Sequence, residues 1–177
     1  LGFSYKWGLR LFYWLILNKM INLYLKGLIG WPRPSTEVPE LGLYHPIDNG
    51  FPSGGAQTCF FLGILLIYYW KTPLARIIGI FYIALVSFSR IYLGVHYPID
   101  VLGGWMVAAL LAFLFITLEK SLEGWFQRQG ERVTLILALA LPALLMGFDP
   151  RPEVFYTMGS LIGVGIGTYI SLKHHLF

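Results

Sequence analysis

Apolar residues run along this chain in blocks long enough to cross a bilayer, and each block ends at charge, proline or glycine. A helix that crosses the hydrocarbon needs about 20 residues. The blocks lack the alternation of a membrane barrel strand, so helices are predicted. The predicted spans are, approximately, Leu9–Ile29, Gly54–Trp70, Pro73–Leu93, Pro98–Leu118, Arg132–Phe148 and Glu153–Leu172. The pattern therefore predicts an all-α fold, a polytopic transmembrane helix bundle of six spans.

Composition and charge fit a membrane protein. The 177 residues are 56% hydrophobic and 12% charged, which is about half the charged fraction of a soluble domain. The net charge is +4 and the basic residues stand singly, so no nucleic-acid-binding patch is predicted. Cys59 has no intrachain disulfide partner, and the spacing of a zinc site is absent. Neither a metal nor another cofactor is predicted.

The chain divides into two predicted parts. Residues 1–120 are predicted to form a transmembrane core with three polar motifs, and residues 121–177 a C-terminal linker with two extra transmembrane helices. The polar residues 119–131 are predicted to link the two parts. Residues 34–52, rich in proline and turn residues, are predicted to form a long non-helical loop, and such loops are often functional. The chain starts at Leu1 without a methionine, so further residues are expected upstream.

Basic residues near the ends of the spans predict their orientation in the membrane. If residues 89–96 face away from the cytoplasm, most of the basic residues fall on the cytoplasmic side. Those residues are Lys6, Arg10, Lys71, Arg76, Lys120, Arg128, Arg132 and Lys173. The opposite side then carries Lys26, Arg33, Arg90 and Arg151. Three of these four belong to the polar motifs, so a functional site is expected on the non-cytoplasmic face.

Three groups of polar residues share that face. The first is Lys26 followed by Arg33, the second is the segment FPSGG at 51–55, and the third is SRIYLGVHYPID at 89–100. Charges beside the hydrocarbon are costly and usually have a function. Arginine and lysine suit phosphate oxygens, and free N–H groups at a helix start bind anions. The residues predicted to bind phosphate are Lys26, Arg33, Ser53, Gly54, Gly55 and Arg90.

His96 and Asp100 are the candidate catalytic pair. Their spacing of four places both side chains on one face of a helix that begins near Pro98. A carboxylate can hold one ring nitrogen of a histidine and leave the other free as a nucleophile. The three groups predict a cationic phosphate site with an oriented histidine.

These motifs resemble those of the type 2 phosphatidic acid phosphatases, also called lipid phosphate phosphatases. The family signature begins with lysine, six residues and Arg-Pro, which matches Lys26, GLIGWP, Arg33 and Pro34. Its last part is Ser-Arg, five residues, histidine, three residues and aspartate, which matches residues 89–100 in full. The resemblance covers about residues 9–118 and leaves the last two predicted spans outside.

The resemblance implies a role for each matching residue. Lys26, Arg33 and Arg90 would hold the phosphate oxygens, and Ser53 with the Gly54 backbone would complete the site. His96 would take the phosphoryl group as a phosphohistidine, with Asp100 orienting it, and water would release phosphate. The expected partners are a phosphorylated lipid substrate and the membrane lipids. The catalytic residues are then His96, Asp100 and Arg90, and no metal is needed.

The chain departs from the family at Gly55, where a histidine that resembles the general acid normally completes Pro-Ser-Gly-His. Three outcomes stay open. The leaving group needs little protonation, as in a lipid diphosphate, or another residue such as His45 supplies the proton, or the protein is a weak or silent lipid-phosphate-binding or transport protein. Transfer to an alcohol in place of water is a further alternative. The segment KGLIGWPRP is similar to sphingoid-base phosphate phosphatases, but polyprenyl diphosphate and phosphatidate-type substrates also fit.

Overall fold

A computed structural model describes residues 5–149 and 151–173, and these residues form helices joined by turns and one longer loop. The helices are α1 (Tyr5–Ile29), α2 (Pro34–Glu37), α3 (Gly54–Trp70), α4 (Pro73–Tyr92), α5 (Pro98–Phe148) and α6 (Pro152–Lys173), with a 3₁₀ turn at Pro39–Leu41. No strand occurs within the described residues. The predicted all-α fold is confirmed.

The helix boundaries follow from capping residues in the sequence. The hydroxyl of Ser53 accepts from the Ala56 N–H at 3.5 Å and begins α3. The hydroxyl of Thr72 accepts from the Ala75 N–H at 3.1 Å and begins α4, with Pro73 in the first turn. Short polar side chains at this position satisfy N–H groups that the helix leaves unpaired. These caps fix where the two helices of the second and third predicted spans start.

Two predicted non-helical segments contain helix. Residues 119–131 were predicted as a polar linker, but they are helical and belong to α5. Their glutamate, lysine, glutamine and arginine residues are good helix formers, and no proline interrupts them. The loop 34–52 contains α2 and the 3₁₀ turn, each starting at a proline. Both predictions of wholly irregular structure are wrong, because polarity alone does not break a helix.

Three helical segments are long and apolar enough to cross a bilayer: Pro73–Tyr92, Pro98–Leu122 and Pro152–Ser171. Gly54–Trp70 and Leu135–Gly147 are shorter apolar helices. The first predicted span, within α1, is not among these segments, since Asn18, Lys19 and Asn22 interrupt its apolar run.

Residues 17–116 form one compact unit, and the other described residues belong to a second unit. Within the first unit, α3 and α4 meet at two glycines. A β-carbon built on Gly63 would lie 2.7 Å from Ile83, and one built on Gly79 would lie 3.0 Å from the Gly63 carbonyl oxygen. Small residues allow this close approach of helix backbones. The predicted boundary between a core at 1–120 and an appended segment at 121–177 stays a prediction.

Candidate active site

His96 lies in the turn between α4 and α5, and Asp100 lies in the first turn of α5. Nδ1 of His96 is 3.3 Å from Oδ2 of Asp100, and the Tyr97 backbone N–H donates to the same oxygen at 2.9 Å. Nε2 of His96 is 3.0 Å from Nη1 of Arg33. Because a guanidinium can only donate, Nε2 accepts this bond and the ring proton belongs on Nδ1. The contacts therefore select the tautomer with a lone pair on Nε2.

Burial and nearby cations keep His96 neutral. The side chain is 5% exposed. Burial lowers the pKa of His96, and Arg33 and Lys26 lower it further by repulsion, while the hydrogen bond to Asp100 opposes the shift. The net direction is downward from the ordinary histidine value. The neutral ring, which is the nucleophilic form, therefore dominates at neutral pH.

Arg33 is held by the loop that follows it and by the turn that carries His96. Nε donates to the Asp48 carbonyl at 2.8 Å, and Nη2 donates to Oδ1 of Asp48 at 2.7 Å. Nη1 donates to the Val95 carbonyl at 2.9 Å in addition to its bond to His96. Arg33 is buried despite its charge. Its fork thus lies against the candidate nucleophile.

Asp48 forms ion pairs with both Lys26 and Arg33, the first two residues predicted to bind phosphate. Its Oδ2 is 3.0 Å from Nζ of Lys26, while its Oδ1 accepts from Arg33. Lys26 also donates to the Asn49 carbonyl. Burial alone would raise the pKa of Asp48, but Lys26 and Arg33 outweigh it and the net pKa is lowered. The sequence analysis did not single out Asp48, because loop 34–52 contains several acidic residues and no spacing rule distinguishes this one.

The start of α3 is tied to the start of α5. The Ser53 N–H donates to the Asp100 carbonyl at 2.9 Å, and Ser53 is fully buried. A β-carbon on Gly54 would lie 2.8 Å from Oδ1 of Asn22, so a side chain does not fit there. The FPSGG segment is thereby fixed beside the turn that carries His96.

Arg90 lies against Gly55. A β-carbon at residue 55 would lie 3.1 Å from Cδ of Arg90 and 3.7 Å from its Nη1. Nε and Nη2 of Arg90 donate to the Ser89 hydroxyl at 3.2 and 3.1 Å. At residue 55, where the resemblance implies a histidine, this chain therefore has no side chain, and Arg90 lies against the backbone.

A cavity of about 320 Å³ connects these groups. Six of the eight predicted site residues line it: Lys26, Arg33, Gly54, Gly55, Arg90 and His96. Ser53 and Asp100 are buried behind the lining. Tertiary structure thus brings residues from five separate parts of the chain to one cavity.

His45, the predicted substitute acid, is placed elsewhere. Its Nε2 lies 3.0 Å from the Pro39 carbonyl oxygen, and the side chain is exposed. Its neighbours Tyr44 and Pro46 line the cavity, whereas His45 does not. The structure does not bring His45 to the other predicted site residues.

A polar network in the wall of the cavity was not predicted as part of the site. Nδ2 of Asn22 donates to Oε1 of Gln57 at 2.9 Å and to the Pro52 carbonyl at 3.1 Å. Gln57 donates to Oδ1 of Asn18 at 3.0 Å, and Asn18 donates to the Thr58 hydroxyl at 3.0 Å. The signal was available, since residues 18, 22 and 26 of α1 are polar at a spacing of four and share one helix face.

The chain is similar to known proteins of one family. The model of the PAP2 superfamily matches residues 7–123. Sphingosine-1-phosphate phosphatase 1 of Rattus norvegicus is 28% identical, over 92% of this chain and 41% of that protein. Undecaprenyl-diphosphatase of Sulfolobus acidocaldarius is 36% identical, over 43% of this chain and 36% of that protein. Lipid A 4'-phosphatase of Bacteroides thetaiotaomicron is 31% identical, over 62% of this chain and 52% of that protein. The chain spans about two-fifths of the length of the rat protein.

A solved structure shares the fold. It is the transmembrane PAP2 type phosphatidylglycerolphosphate phosphatase from Bacillus subtilis, with a TM-score of 0.56 and 28% identity. The match covers 67% of this chain and 61% of that one. The predicted family resemblance and the predicted transmembrane helix bundle are both confirmed.

Proposed function

The chain belongs to the PAP2 superfamily, and we propose that it is an integral membrane hydrolase that removes a phosphoryl group from a lipid phosphate or lipid diphosphate. The observation that carries this proposal is the position of His96, held by Asp100 on one ring nitrogen and by Arg33 on the other. Binding alone requires cations but no oriented histidine. The arrangement therefore favours catalysis over a purely binding role.

In the first step, Nε2 of His96 attacks the phosphorus atom of the substrate. Arg33, which donates to Nε2 of His96, turns its guanidinium group to the phosphate oxygens as they arrive. The new P–N bond forms while the bond from phosphorus to the lipid oxygen breaks, and that oxygen keeps the electron pair. Lys26 and Arg90 add positive charge around the transferring group, where charge develops in the transition state.

In the second step, water attacks the phosphohistidine. The P–O bond to water forms, the P–N bond breaks, and the electron pair returns to Nε2. Asp100 keeps the ring oriented through Nδ1 in both steps, as expected for an orienting carboxylate. Inorganic phosphate leaves and the neutral histidine is restored, with one proton released to solvent.

Because residue 55 is glycine, the oxygen atom of the leaving group lacks the expected proton donor. Asp48 is close to the cations, but its lowered pKa keeps it ionised at neutral pH, and His45 lies outside the cavity. These facts support a leaving group that needs little protonation. They also support the second candidate function, a silent lipid-phosphate-binding or transport protein, in which the same cations hold a headgroup without turnover.

Phosphate release from lipid monophosphates and diphosphates in detergent micelles tests the proposal. The parent should release phosphate, while His96→Ala should abolish release and Asp100→Asn should lower it strongly. Radiolabelled phosphate should be trapped on the parent after an alkaline quench, because a phosphoramidate survives alkali and hydrolyses in acid. Phosphate release that persists in His96→Ala would rule out the histidine mechanism. Absence of release from every lipid, with headgroup binding retained, would favour the silent binder.

A further inference from the structure

We infer that Lys19 forms a second anion subsite in the cavity and selects lipid diphosphates by binding the phosphate that stays on the lipid. This inference rests on the proposed function, since it assigns the leaving-group side of the same site. Lys19 belongs to none of the three sequence motifs. It is a specificity-determining residue, distinct from the groups that hold the transferred phosphoryl.

Lys19 lines the cavity that His96 and Arg90 also line. Within the described residues it makes no hydrogen bond and no ion pair, and its side chain is exposed. Lys26, seven residues later on the same helix, is paired with Asp48. Lys19 therefore offers the cavity a positive charge that no described carboxylate neutralises. Lys19 interrupts the apolar run of α1, and charges beside the hydrocarbon usually have a function.

Lys19 lies farther along α1 from loop 34–52 than Lys26 does. Seven residues are almost two full turns of α1, so Lys19 and Lys26 share a face about 10 Å apart along the helix. Lys26 lies in the last turn, next to the loop that holds Arg33, while Lys19 lies toward the middle of the helix. A lipid with its terminal phosphate at His96 must extend its tail toward the apolar part of the bundle. Its second phosphate then faces Lys19.

The neighbours of Lys19 on the helix hold it in place. Asn18 and Asn22 are buried and bound to α3 through Gln57, so this part of α1 cannot rotate freely. The network fixes the backbone of residue 19 but leaves the ammonium group uncommitted. A side chain on a fixed backbone suits a binding residue, because it loses less conformational freedom on ligand binding than one on a mobile backbone.

The charge of Lys19 also accounts for Gly55. When His96 attacks the terminal phosphorus of a diphosphate, the bond from that phosphorus to the bridging oxygen breaks. The electron pair stays on the bridging oxygen, and the leaving group is the lipid monophosphate anion. Lys19 stabilises this anion directly, so no proton need be delivered. A lipid with an ammonium group next to its phosphate is repelled by the same charge.

The test compares farnesyl diphosphate with farnesyl monophosphate in detergent micelles. Lys19→Gln should lower kcat/KM for the diphosphate about tenfold, the lower end expected for loss of a charge-assisted hydrogen bond, and leave that for the monophosphate within about twofold. Lys19→Arg should retain most of the diphosphate activity. Lys71→Gln is the matched control, since Lys71 lies at the opposite end of α3 from Gly55 and should change neither substrate. An equal loss on both substrates, or no loss on either, overturns the subsite.

A binding measurement separates failure of the subsite from failure of the proposed function. By calorimetry the parent should bind inorganic pyrophosphate more tightly than inorganic phosphate, and Lys19→Gln should lose that preference. If the parent turns over neither lipid, the proposed hydrolase is wrong, while the pyrophosphate preference still decides on the subsite. If Lys19→Gln keeps the preference, the subsite is wrong whatever the turnover. Unchanged thermal unfolding of the variant excludes a folding defect as the cause.

Discussion

Nη1 of Arg33 lies 3.0 Å from Nε2 of His96, so a candidate phosphate ligand covers the candidate nucleophile. The same arginine is bound to Asp48 through Nη2. A phosphate group offers the guanidinium a stronger and geometrically better partner than a neutral ring nitrogen. Binding of substrate should therefore draw Arg33 away from Nε2 of His96 and expose the nucleophile.

The acid limb of the pH profile reports the state of His96. Because burial and the neighbouring cations lower its pKa, the ring stays neutral as the pH falls below the ordinary value of 6.5. We expect kcat/KM to stay constant as the pH falls to 6.5 and to decrease only at lower pH. The rate of phosphate release as a function of pH measures it. An acid limb at or above 6.5 contradicts this account of the site.

Asp100→Asn tests which groups set the pKa of His96. The hydrogen bond to Asp100 raises the pKa of His96 against the lowering effect of burial. Its loss should move the acid limb to still lower pH, while the overall rate also falls. A limb that moves upward in Asp100→Asn would show that the carboxylate does not stabilise the protonated ring.

Gly55→His should raise turnover of monophosphate lipids relative to diphosphates. A proton donor helps only where charge builds on the leaving oxygen, and an alkoxide needs it more than a phosphate anion does. We expect the ratio of the two rates to rise about tenfold, at the low end of general-acid effects. The gain is limited because a side chain at residue 55 meets Arg90. Gly55→Ala is the control for that contact and should slow both substrates without changing the ratio.

Asp48→Asn should tighten the binding of inorganic phosphate. The lowered pKa of Asp48 shows that its charged form is stabilised, so at neutral pH a carboxylate competes with phosphate for Lys26 and Arg33. Removal of that charge should lower the inhibition constant of phosphate a few-fold. Glu40→Gln in the same loop is the exposed control. Weaker phosphate inhibition in Asp48→Asn would mean that Asp48 chiefly holds the two cations in position.

Asn22→Leu should destabilise the protein without removing a charge. The change leaves Oε1 of Gln57 and the Pro52 carbonyl without their donor in a buried site. Each buried unsatisfied group costs about 1–3 kcal/mol. Thermal unfolding in detergent should show the loss, whereas Leu28→Ala at an exposed position of the same helix should not. An unfolding midpoint equal to that of the parent would show that water replaces the Asn22 amide.

The orientation of the site can be tested with single cysteines. Ile47 lies in loop 34–52 and is fully exposed, while the one native cysteine, Cys59, is buried. Ile47→Cys should react with a membrane-impermeant maleimide added to intact cells. Lys71→Cys, at the other end of α3, should react only after permeabilisation. The reverse pattern would place the site on the cytoplasmic face.

Much of the fold was predictable because it depends on local patterns. Apolar blocks bounded by charge, proline or glycine located the starts of α3 and α4. His96 and Asp100 are in contact as expected, but the predicted shared helix face is wrong, because His96 precedes the first residue of α5. The family motifs identified Lys26, Arg33 and Arg90 as residues of one site. The linker at 119–131 was mispredicted, since its polar residues are compatible with both loop and helix and only the surrounding structure distinguishes the two.

The sequence by itself determined the main apolar helical segments and the motif residues predicted for the site, because those properties depend on neighbours along the chain. Only the tertiary structure decided that Asp48 joins Lys26 to Arg33, that Arg33 covers His96, and that Arg90 lies against Gly55. These contacts join residues from different elements, so they depend on how α1, α3 and α4 pack and on the path of loop 34–52. No periodicity along the chain encodes such distances, and this is why the part that Asp48 plays in the site became visible only in the folded protein.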